Sequence, residues 1–150
     1  MLYEFCAENV TLLEKAMKAG AQRIELCDNL AVGGTTPSYG VIRAAVDLAK
    51  PYGATVMTMI RPRGGDFVYT DLEIGIMLAD IQKAKEAGSQ GVVFGVLTEK
   101  NEIDLSKMQR LLEACKGLEV VFHMAFDELS DDDQLEAIDW LSQAGVTRIL

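Results

Sequence analysis

The chain has 150 residues, about the length of one ordinary domain, with 49% hydrophobic and 25% charged residues, which excludes a disordered or collagen-like chain. Fourteen basic against 23 acidic residues give a net charge of −9, so no nucleic-acid or anionic-membrane partner is expected. No apolar run approaches the roughly 18–20 residues of a membrane span, and the acidic start MLYEFCAEN lacks the pattern of a signal peptide. Three scattered cysteines are too few for a disulfide scaffold and fit a reducing cytoplasm.

In chain order, short β-rich runs alternate with longer helical stripes. The sequence predicts a strand over Tyr3–Cys6 and a helix over Val10–Ala19, then a strand over Arg23–Cys27 and a helix over Val41–Ala49. A strand over Thr55–Arg61 precedes a helix over Leu72–Ala87, and Gly91–Val96 precedes Leu105–Cys115. Glu119–His123 precedes Leu135–Ala144, and Arg148–Leu150 begins a sixth strand. Gly20, Gly88 and Gly145 sit just past helical runs, where a left-handed C′ residue belongs. Asp71, Asp104 and Asp131 stand at N-cap positions, and Ser38 ends a loop as a further cap.

Strand–helix alternation at intervals of roughly 20–36 residues implies a parallel sheet with helical crossovers. Two α/β architectures offer that, a doubly wound sheet and an eight-stranded βα barrel. The first two strands favour the barrel. Tyr3, Phe5, Ile24 and Leu26 suit a helix layer, whereas Glu4, Cys6, Glu25 and Cys27 occupy the opposite face. In a barrel that face points inward. No Gly-rich fingerprint follows the first strand, which argues against a dinucleotide fold. An eight-fold barrel needs roughly 200–250 residues. The chain is therefore expected to be the N-terminal part of a single barrel domain, about five βα units plus a sixth strand.

The polar residues collect at the strand ends, where a barrel carries its site. They occur in the segments CDNLAVGGTTPSYG, RPRGGDFVY and HMAFD, which begin at Cys27, Arg61 and His123. Glu4 and Glu25, on adjacent strands, need a partner if buried, and Arg61 is the expected one. Two readings stand for them: an acid–base pair tuned by Arg61, or a structural Glu–Arg network. His123, the only histidine, lies close in sequence to Asp127. With Glu4, Glu25 or Asp127 it could serve as a general base or hold a divalent ion; otherwise it orients a loop. Arg61 and Arg63, with Asp66, either clamp a small anionic substrate or pair among themselves to shape the loop.

The blocks ELCDNLAVGGTTPSYG, MIRPRGGDFVYTDLE, GVVFGVLTEKNEIDL and VVFHMAFDE resemble the CutC family, named for copper homeostasis, along the whole chain from YEFCAEN to GVTRIL. The resemblance implies a cytoplasmic βα barrel that often forms homo-oligomers, with Cu(I) as its metal and Cys6 and Cys27 as the ligands. Apart from the family, thiolates are soft and select Cu(I), and the two cysteines hold equivalent places in Glu-x-Cys on neighbouring strands. The same thiols also read as small groups filling a barrel interior, and Met57, Met59 and Met124 as soft neighbours or gap fillers. Cys115 lies on a helical stripe and reads as packing. Where the family has His-Arg-Ala-Phe-Asp, this chain has Met124 after His123, which removes any role for that arginine. Two functions remain open: Cu(I) binding without turnover, and an enzyme acting on a small polar or anionic molecule.

Overall fold

A computed structural model describes residues 1–150. Six parallel strands follow one another in sheet order and in chain order: β1 (Glu4–Glu8), β2 (Arg23–Cys27), β3 (Thr55–Met59), β4 (Gly91–Phe94), β5 (Glu119–Phe122) and β6 (Arg148–Ile149). Helices α1 (Leu13–Lys18), α2 (Tyr39–Ala49), α3 (Asp71–Ala87), α4 (Leu105–Ala114) and α5 (Asp131–Gln143) form the crossovers. The sheet curls so far that Arg148 Nη1 on β6 lies 2.7 Å from Glu4 Oε2 on β1, although these are the two edge strands. This is a curled half-barrel, six strands of the eight-stranded plan.

The alternation along the strands separates two apolar regions. Ile24, Leu26, Val56, Val92, Phe94, Val120 and Phe122 face the helices in a core of 32 buried residues. A second, inner cluster of five buried residues lies on the concave face: Cys27, Met57, Met59, Val93 and Val121. The pattern of Glu-x-Cys thus points inward as the sequence implies. No helix is long and apolar enough to cross a membrane.

Helix ends follow local chemistry, with two corrections. Asp104 and Ser38 accept from the backbone N–H groups of Lys107 and Val41, as caps should. Asp71 and Asp131, expected as caps, are instead the first helical residues. The residue before each does the capping: Thr70 in a reciprocal capping box with Glu73, and Ser130 on Asp133. A hydroxyl one position earlier reaches the N3 amide, while the carboxylates sit in the first turn beside the positive end of the helix dipole. Gly20, Gly88 and Gly145 all take positive φ, at 106°, 92° and 85°, as C′ residues do.

Candidate metal centre on the concave face

Strand register builds the site. β1 and β2 pair Glu4 with Arg23, Cys6 with Glu25 and Glu8 with Cys27. The two Glu-x-Cys segments are therefore not level, as their equivalent sequence places implied, but offset by two residues. Barrel closure requires such a stagger between strands. Its effect is to put Glu25 beside Cys6, with Cys27 one step higher on the same face. Cys6 Sγ lies 3.9 Å and Cys27 Sγ 3.7 Å from Glu25 Oε1. One ligand atom from each of the three residues lies within 4.8 Å of the others. Cys27 and Glu25 are buried and Cys6 is exposed.

The electrostatics of this cluster are one-sided. Glu25 makes no ion pair, and its hydrogen-bonding partners are the two thiols. Burial, reinforced by the nearby Glu4 charge, raises its carboxyl above the ordinary range. The two thiols share their protons unequally. The neighbouring Cys27 thiol lowers Cys6, and Cys6, with burial, raises Cys27. Cys115 lies apart in the outer core, where burial pushes its thiol up to about 12, and it has no part in the site.

The other predicted residues disperse. Glu4 lies at the base of the half-barrel, where Arg148 and Arg23 approach it at 2.7 and 3.6 Å. The same two arginines reach Glu119 at 3.6 and 3.4 Å. The expected pairing of Glu4 and Glu25 with Arg61 does not form. Arg61 is buried, and its guanidinium donates to backbone carbonyls: Nη1 to Val32 O at 2.7 Å and Gly34 O at 2.9 Å, Nη2 to Gly65 O at 2.8 Å. Its charge stacks over Phe67, 5.0 Å from the ring centroid. The side chain is spent on shaping two loops, which no spacing in the sequence reveals.

Arg63 donates to Asp66 at 3.0 Å and to Glu73 at 2.6 Å, and lies over Tyr69. This is the loop-shaping arrangement of the two that the sequence left open. His123 is fully buried beside Phe67. Its Nδ1 accepts from Ala125 N at 3.2 Å, capping a short 3-10 turn, so the neutral ring carries its proton on Nε2. Burial, then the Arg61 charge, pushes it down to about 3. Asp127 lies exposed on that turn. No hydrogen bond or ion pair joins any two of Glu4, Glu25, His123 and Asp127. Arg23, Glu119 and Arg148 went unnoticed in the sequence. Their signal was available, since Arg23 keeps the inward phase of Glu25 and Cys27.

The chain matches the CutC family over residues 1–150. It is 54% identical over 150 residues to a CutC family protein of Enterococcus faecalis, covering 100% of this chain and 72% of that protein. It is 44% identical over 149 residues to the human copper homeostasis protein cutC homolog, covering 99% of this chain and 53% of that protein. The crystal structure of a CutC protein from Streptococcus agalactiae superposes with a TM-score of 0.96 at 54% identity, covering 99% of this chain and 71% of that one. With the inward Glu-x-Cys strands, the half-barrel and these matches in agreement, the chain belongs to the CutC family.

Proposed function

We propose that the protein binds Cu(I) as cargo through Cys6 and Cys27, with Glu25 beside them, and serves copper homeostasis in the cytoplasm without turnover. The observation that carries this reading is the cluster itself: two free thiols and a buried carboxylate converge within 4.8 Å, with no cation among their partners. The donor set fits the ion. Thiolates are soft and select Cu(I), and a buried carboxylate with no counter-charge is relieved by a bound cation. Binding displaces the thiol protons, so affinity rises with pH. Relatives named for copper homeostasis support the same reading.

Enzymatic acid–base chemistry has no comparable support, because the four acid–base candidates do not meet.

The test is a titration of the reduced protein with Cu(I) against a competing chelator. Cys6→Ser and Cys27→Ser are each expected to weaken binding by about 100-fold or more, beyond the roughly 10–100-fold cost of losing an outer-shell partner. Unchanged affinity in both folded variants would overturn the copper reading.

A further inference from the structure

We infer that Met59 supplies a third, thioether ligand to the Cu(I) centre and makes that centre selective for Cu(I) over Zn(II). This rests on the copper reading above. Two methionines of β3 face inward beside the cluster, and the structure distinguishes them. Met57 stands next to Glu25 in the register. Its side chain turns away toward β4: a Cβ placed on Gly91 would meet Met57 Cε at 2.1 Å and Sδ at 2.8 Å. The thioether of Met57 is the filler for the gap that Gly91 leaves.

Met59 turns the other way. The same register continues to place it beside Cys27 on the concave face, and both belong to the inner cluster. Both also reach the underside of Gly34. A Cβ there would lie 3.1 Å from Cys27 Sγ and 3.7 Å from Met59 Cε. Gly34 has φ +88°, a conformation costly for other residues, and presents only backbone to the two sulfur-bearing side chains. Arg61 pins this turn through Val32 O and Gly34 O. The end of the Met59 side chain and the Cys27 sulfur therefore lie under the same fixed cover.

The chemistry suits the place. The site already gathers a carboxylate and two potential thiolates, so another anionic ligand would add buried negative charge at high cost. A thioether is neutral and soft. It adds a bond to Cu(I) without adding charge, whereas Zn(II) takes its ligands from thiolate, imidazole and carboxylate. Met59 is only 1% exposed, so the bond forms away from water.

The closing experiment uses the reduced protein labelled with 13C in its methionine methyl groups and titrated with Cu(I). The Met59 methyl resonance should shift and saturate with one equivalent, while that of Met57 moves far less. In competition titrations Met59→Leu, which conserves volume, should lower Cu(I) affinity about 10-fold and leave Zn(II) affinity unchanged. Met57→Leu should change neither. An unmoved Met59 methyl at saturating Cu(I), or an unchanged Cu(I)-to-Zn(II) ratio in Met59→Leu, overturns the inference. If Cys6→Ser and Cys27→Ser abolish binding while Met59→Leu does nothing, the inference fails and the copper reading stands. If the cysteine variants keep full affinity, both fall.

Discussion

Two polar layers lie two residues apart on the concave face of the same strands, and they balance charge in opposite ways. At the base, Glu4 and Glu119 alternate with Arg23 and Arg148, so two negative and two positive groups satisfy one another at 2.7–3.6 Å. Above it, the thiols of Cys6 and Cys27 gather around the Glu25 carboxylate, which has no cation at all. Polarity inside a barrel is therefore not evidence of a site. A closed set of opposite charges explains itself structurally, linking β1 and β2 to β5 and β6. An open set, with a net charge and soft donors, asks for something from outside. The base also contains groups that only burial strains. Glu4 Oε1 and Arg23 Nε are buried without hydrogen-bond partners. Burial raises the Glu4 carboxyl and Glu119 adds to the rise, while Arg23 and the Arg148 guanidinium 2.7 Å away oppose it, a counter-charge that Glu25 lacks.

If the base is a structural clasp, breaking it should produce the largest loss of stability. Glu4→Gln removes the charge that Arg148 and Arg23 share while keeping the side-chain volume. A hydrogen bond to a charged group contributes about 1.5–3 kcal/mol, so unfolding in urea should move to lower denaturant by about that amount. Cu(I) affinity should change far less than in Cys6→Ser or Cys27→Ser, because Glu4 reaches the upper layer only through its charge near Glu25. A stable Glu4→Gln protein with weakened copper binding would reverse the assignment of the two layers.

A smaller effect tests the cover over the upper layer. Gly34→Ala places a methyl 3.1 Å from Cys27 Sγ on a backbone at φ +88°. The left-handed conformation costs a non-glycine residue about 1–3 kcal/mol, and the contact adds to it. Gly53→Ala is the matched control. It also has positive φ, at 62°, with nothing within 4 Å of the new methyl. Both variants should lose stability by thermal or urea unfolding, and only Gly34→Ala should also weaken Cu(I) binding. Equal copper affinity in the two would mean that the turn does not cover the centre.

Much of this contrast was legible in the sequence. The alternation of Phe5 with Cys6, and of Ile24 and Leu26 with Glu25 and Cys27, assigned each strand its two faces, and the glycines after the helices marked their ends. Three features were not legible, each for a physical reason. Register was hidden, because matching Glu-x-Cys segments look level until barrel closure staggers them, and this put Glu4 beside Arg23 rather than with Glu25. The partners of Arg61 were hidden, because backbone carbonyls of a folded loop leave no trace in residue identity. The separation of His123 from Asp127 was hidden by the 3-10 turn between them, which uses the imidazole as its cap and leaves the carboxylate in solvent. What composition did show was the excess of inward polar groups. What it could not show was which of them already had partners.

The smallest expected effect is the most discriminating, because its sign differs between the layers. Glu25→Gln removes a buried charge that no cation compensates, so the metal-free protein should be as stable as the parent or more stable, by about 1 kcal/mol, at pH 7. The pH dependence fixes the cause. Burial raises the folded-state pKa of Glu25 above its ordinary 4.5. The folded protein then holds that proton more tightly than the unfolded chain. Its stabilising contribution is fully present below about pH 4.5 and is lost as pH rises through the raised folded value. Glutamine mimics the protonated form at every pH. The advantage of Glu25→Gln over the parent should therefore be greatest near pH 7 and vanish toward pH 4, as read from paired urea titrations. In the same variant Cu(I) affinity should fall, since the carboxylate that penalises the empty site favours the cation. A gain in stability joined to a loss of binding is the signature of a residue kept for its ligand rather than for its fold. If Glu25→Gln is less stable than the parent across that whole range, Glu25 is structural like Glu4, and the two layers do the same work.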